Sequence, residues 1–112
     1  MNFAELAWLN SWGASRYDPD LKKVILVGDP PEYVVAHEEA HARQHSEGTL
    51  LYALWLALWW MPFVATLLLI PLERDADRQA REEMQRRGLW NARNQKAARL
   101  WRESYQLGSY TP

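Results

Sequence analysis

His37, Glu38 and His41 are the residues of this chain whose types and spacing could do chemistry most directly. In the string His37-Glu38-Glu39-Ala40-His41 the two histidines stand four positions apart. On a helix they lie about 40° apart around the axis and one turn apart along it, so both imidazoles can reach one ion. Glu38 falls about 100° from His37, at the edge of the same face. From there a carboxylate can take a proton from a water beside the ion and give it to a leaving amine.

This H-E-x-x-H spacing predicts a zinc site, and a catalytic zinc takes three protein ligands and keeps one position open. His45 is a poor third ligand. On an unbroken helix it lies about 12 Å along the axis from His37, too far to share an ion with His41 between them. A helix broken by glycine could offer a later histidine, but position 44 is Gln and position 47 is Glu. Glu39, Arg43 and Glu47 project away from the histidines as a solvent-side charge ladder. Glu73 is the better third ligand. It shares a helical stripe with Ala76, Asp77, Ala80 and Met84, while Asp75, Arg78, Glu82 and Arg86 fall on the other side. Two inward carboxylates are costly unless something positive meets them. Zinc would meet Glu73, and Asp77, one turn on, would accept the free ring N–H of a ligand histidine.

The elements that must position these groups are legible in outline. Residues 2–12 read as a short helix with an apolar side of Phe3, Leu6 and Leu9 or Trp8, ended by Gly13. Asp18-Pro19-Asp20 is turn chemistry, and 22–27 reads as a β-branched strand bounded by Gly28. Asp29-Pro30-Pro31-Glu32 reads as a helix start, with Asp29 as cap and Glu32 completing a capping box. That helix is expected from about 30 to 47, stopping at Gly48. Two more follow, at about 72–87 before Gly88 and at about 91–105. The expected fold is α+β and mostly helical: one domain over 1–112, with a small sheet beside the active-site helix and an apolar helical hairpin over 49–72.

The hairpin follows from the ligand set. Gly48 to Leu72 is a run of 25 residues without a charge. As one straight helix it would be about 37 Å long and would put His41 and Glu73 on opposite faces of a membrane. To share an ion they require the segment to double back, at Trp60-Met61-Pro62. Each arm is then too short to cross a bilayer. Such a hairpin could dip into one leaflet or pack against further copies of the chain. The first reading makes the protein membrane-associated, and the second makes it a cytoplasmic soluble oligomer.

H-E-x-x-H followed by Glu73-x-x-Ala76-Asp77 on a later helix resembles the gluzincin metallopeptidases. It is most similar to the CAAX prenyl protease and antibiotic-sensor peptidase types and to the compact minigluzincins. The resemblance spans about 24–84. It implies that His37, His41 and Glu73 bind Zn2+, that Glu38 is general base and acid, and that Asp77 lies behind the ligands. It also implies that Val24, Ile25, Leu26 and Val27 form a strand that pairs with an extended peptide substrate. Tyr105, Tyr110 and Arg99 are candidates by residue type for stabilising the transition state.

A net charge of −1 gives no electrostatic reason to expect a nucleic-acid partner. The basic residues of the last helix, Arg93, Lys96, Arg99 and Arg102 against Glu103, read as a solvated face. The absence of cysteine excludes disulfides and thiolate zinc sites. The first residues, with Glu5 and no basic side chain, are unlike a secretory signal. The expected function is a zinc-dependent endopeptidase acting on a peptide or protein. The competing expectation is a non-catalytic zinc-stabilised interaction module, or a latent enzyme with the tail from Leu107 to Pro112 in its cleft.

Overall fold

Asn2 accepts the Glu5 amide while Glu5 reaches back to the Asn2 amide, and this capping box starts helix α1, Phe3–Trp12. The computed structural model describes residues 2–108, with backbone alone for 66 and 105–108. The inward face of α1 is not the expected one. Phe3 and Leu6 are exposed, and Glu5, Leu9 and Trp12 turn inward. Two contacts with the last helix set this rotation: Glu5 pairs with Arg99, and Trp12 stacks on Trp101 at 5.7 Å.

A two-stranded antiparallel hairpin follows, β1 (Arg16–Asp18) and β2 (Lys23–Ile25), with Tyr17 opposite Val24. Asp18 makes the turn by accepting the amides of Asp20 and Leu21. Only 23–25 of the expected strand pair as β2, and β1 is an element the sequence pattern did not announce. At the hairpin's exit Gly28 has φ +67°, and a Cβ there would stand 2.3 Å from the Ser11 carbonyl oxygen. That position takes only glycine.

Helix α2 (Glu32–Ser46) carries the H-E-x-x-H string. Asp29 does not cap it, because its side chain is almost fully exposed and faces Arg93. The cap comes from far along the chain. Asn94, fully buried, accepts the Tyr33 amide at 2.9 Å and donates to Glu32 and to the Leu89 carbonyl. One amide side chain thus ties the start of α2 to the last helix, a link of about 1 kcal/mol for the cap alone.

The apolar segment reverses where the sequence places the turn. Helix α3 (Leu50–Leu58) ends, 59–61 turn, and α4 (Pro62–Arg86) returns. Pro62 starts α4 without needing a backbone donor. The glutamate-bearing helix, expected from about 72, instead begins at Pro62, and α4 runs through Pro71 unbroken. A proline inside a helix costs roughly 3 kcal/mol. Packing on both sides of Pro71 offsets that cost, with α3 against the first part of α4 and α2 against the second. Among the described residues no helix is long and apolar enough to cross a membrane.

The last helix, α5 (Ala92–Gly108), starts at Asn91, which accepts the Asn94 amide. The core joins α1, α2, α4 and α5 through Trp12, Tyr33, Val34, Ala80, Met84, Ala97 and Trp101. Ala76 and Ala80 are fully buried and let α4 approach the histidine helix closely, as expected. The fold is α+β and mostly helical, and the chain's reversal at 59–61 brings α4 back along α2.

Candidate metal centre

His37 and His41 lie one turn apart on the buried face of α2, and Glu73 faces them from α4. Glu73 Oε2 is 2.7 Å from His37 Nε2, and Glu73 Oε1 is 3.0 Å from His41 Nε2. All three residues are buried, and their donor atoms lie within 4.8 Å of one another. Donors about 2.1 Å from a shared ion in tetrahedral array stand about 3.4 Å apart. The carboxylate therefore has to withdraw from the imidazoles by only about half an ångström to admit one. Two imidazole nitrogens and a carboxylate beside a cleft form a set that could hold a divalent transition metal.

Burial favours neutral Glu73, but the hydrogen bonds from His37 and His41 outweigh it and hold the carboxyl down at about 2. Burial likewise favours neutral His41, and contact with Glu73 overrides it, pushing the imidazole up to about 9. The metal-free protein thus carries a buried ion pair where a metal would sit. The His41 contribution to stability is complete below its ordinary value of 6.5 and lost as pH rises through about 9. The Glu73 contribution is complete above 4.5 and lost as pH falls toward 2. From these two groups, thermal melts of metal-free protein should peak between about pH 4.5 and 6.5 and decline from 6.5 to 9. A transition temperature that stays level from pH 6.5 to 9 would contradict the ion pair. Metal should reverse the alkaline trend, because it displaces the proton.

His41 is oriented by Gln44, a residue that sequence reading does not single out for this role. With Nε2 toward Glu73, His41 Nδ1 donates to Gln44 Oε1 at 2.9 Å. The Gln44 amide nitrogen donates to the Leu72 carbonyl at 3.1 Å and to Asp75 Oδ2 at 2.9 Å. One buried glutamine therefore links the ligand on α2 to the turn of α4 that carries Glu73. Its spacing, three residues after His41 on the inward face, was the available signal.

Asp77 meets different partners from the one expected. Its carboxylate accepts from the Tyr33 hydroxyl and pairs with Arg81 at 3.1 Å. Tyr33 is buried with its ring 5.9 Å from that of His37, so Asp77 reaches the site through a tyrosine. Trp101 stands edge-on to His37 at 5.8 Å. Glu39, Arg43 and Glu47 are all exposed, in line with the charge ladder. His45 stays out of the donor cluster and takes a 2.6 Å contact from the Tyr17 hydroxyl at Nδ1.

Glu38 is only 4% exposed, and burial raises its carboxyl above the ordinary range against the nearby imidazoles. Its Oε2 accepts the Tyr17 amide at 2.9 Å, which fixes the carboxylate against β1. Glu38, His41 and Glu73 line a cleft of about 830 Å³ whose wall includes Tyr17, Tyr52 and Trp55. The strand bordering this cleft is β1. Residues 14–17 line it, whereas 24–27 lie behind them, because β2 pairs with the strand that already covers Glu38. Arg99 is taken up by Glu5 and Glu103 on the exposed side of α5. The side chains of Tyr105 and Tyr110, and the tail from Leu107 to Pro112, lie outside the described residues, apart from the backbone of α5 as far as Gly108. Compared with protein-family models, with curated proteins and with solved structures, the chain finds no match.

Proposed function

We propose that this protein is a zinc-dependent endopeptidase of the gluzincin type. The observation that carries the reading is the convergence of His37, His41 and Glu73 on one buried point of a cleft that Glu38 also lines. Held by those three residues, zinc would polarise a scissile carbonyl and make water a nucleophile near neutral pH. Glu38 takes the proton from the attacking water as the new C–O bond forms. It delivers that proton to the amide nitrogen as the C–N bond breaks. Its burial raises its proton affinity, as a base working near neutral pH requires. The Tyr17 amide keeps the carboxylate in place between these steps. An extended substrate lies along 14–17, the part of the hairpin that borders the cleft.

The same reading gives the outer face of the α3–α4 hairpin to a lipid leaflet, with a further copy of the chain as the alternative. Leu50, Trp59, Trp60, Phe63 and Leu67 are between 65% and 82% exposed, a large apolar surface to leave in water.

The reading is tested by incubating zinc-loaded protein with a mixed peptide library and identifying new chain ends by mass spectrometry. Cleavage that stops on chelation and returns with zinc is the expected result. One zinc per chain with no new ends would instead assign a non-catalytic, zinc-stabilised module.

A further inference from the structure

Attack on a peptide carbonyl places negative charge on its oxygen, and a donor already aimed at that oxygen lowers the barrier most. Among the described residues four hydroxyl-bearing side chains line the cleft: Ser15, Tyr17, Tyr52 and Ser104. Three are committed. The Ser15 hydroxyl bridges the Val27 amide and carbonyl, the Tyr17 hydroxyl meets His45, and the Ser104 hydroxyl donates to the Trp101 carbonyl. Among the described residues the Tyr52 hydroxyl has no partner, although Tyr52 as a residue is only 5% exposed. Tyr52 lines the cleft shared with Glu38, His41 and Glu73, and its hydroxyl is not sealed from solvent.

We propose that Tyr52 is a catalytic residue whose hydroxyl donates a hydrogen bond to the carbonyl oxygen as it becomes an oxyanion. The proposal rests on the peptidase reading and names the group that reading still lacks. The ring is held before substrate arrives. It stacks on His45 at 5.1 Å and 24°, and Trp55 packs 5.8 Å away. His45 is fixed in turn by the Tyr17 hydroxyl. A donor this constrained needs no reorganisation during the reaction. Burial, then the neighbouring Tyr17, Glu38 and Glu73, push the phenol up to about 12, so it keeps its proton at neutral pH. Phenylalanine would pack equally well here, and all that the hydroxyl adds is a donor facing the cleft. Tyr52 belongs to the apolar hairpin, so this assignment makes the insert part of the catalytic wall.

The test is Tyr52→Phe, which keeps the stacked ring and removes the donor. Zinc content and thermal transition should match wild type. With a cleaved library peptide, kcat should fall about 10²–10³-fold while KM moves less than about twofold. Affinity for a phosphinic peptide bearing Phe and Leu side chains, a tetrahedral anion, should fall in parallel. Affinity for the product peptide should not. The binding arm needs only zinc-loaded protein, so it decides the role of Tyr52 even if no substrate is cleaved. Unchanged kcat or unchanged phosphinate affinity overturns the proposal. Failure of the peptidase reading looks different: zinc-loaded wild-type protein then releases no new chain ends, while the phosphinate comparison still decides the Tyr52 hydroxyl.

Discussion

Glu38→Gln should abolish peptide cleavage, lowering kcat by about 10²–10⁴-fold, while zinc stays bound at one ion per chain. The two halves of this result come from separate features of the site. Glu38 is not among the three residues whose donor atoms converge, so the ligand set survives the change. A glutamine retains an oxygen that can accept the Tyr17 amide, so β1 keeps its anchor. What disappears is the carboxylate that moves the proton from water to amine. Stability should move the other way. Because burial disfavours the Glu38 charge, a neutral side chain of the same shape should leave the metal-free transition temperature unchanged or raised. Zinc analysis, calorimetry and a cleavage assay on one preparation check all three parts. Cleavage at the wild-type rate would remove Glu38 from the mechanism.

Glu73→Ala should have the largest effect on the metal. Loss of a group that merely orients a ligand costs ten- to a hundredfold in affinity; with Glu73 proposed as a ligand itself, about a hundredfold or more is expected. It should also destabilise the metal-free protein by about 3–5 kcal/mol, the range for removing one member of a buried ion pair. His41 loses the contact that keeps it charged, so its pKa should drop from about 9, and the decline of stability between pH 6.5 and 9 should vanish with it. Zinc titration by calorimetry and melts across that pH range provide the check. Wild-type zinc affinity in Glu73→Ala would show that the ion sits elsewhere.

The parts of the site legible in the sequence were those with a local period or a ligand logic. His37, Glu38 and His41 declare themselves by helical spacing. Glu73 follows from the cost of an inward acid, and its need to reach α2 places a turn near Trp60 that the structure has at 59–61. What escaped depends on contacts between distant residues. Asn94 caps α2 from 61 positions away, and a sequence scan credits the nearer Asp29 instead. The facing of α1 is set by Arg99 and Trp101, not by its own apolar residues. β1 is three residues long, Arg-Tyr-Asp, too short and too polar to show an alternating pattern. Because β1 is silent in the sequence, the strand bordering the cleft reads as 24–27. Pro71 reads as a helix end by its chemistry, and only packing against α2 and α3 carries the helix past it.

The hairpin has two faces. Its inner side brings Tyr52 and Trp55 to the cleft, and its outer side exposes Trp59, Trp60 and Phe63.

On the proposed function, one zinc held by His37, His41 and Glu73 makes this cleft a peptidase. This is tested most directly by titrating zinc into metal-free protein while following cleavage of a library-derived peptide. Activity should rise in proportion to bound metal and level off at one zinc per chain. A site that fills to one zinc per chain with no peptide cleaved, or activity that continues without metal, would contradict it.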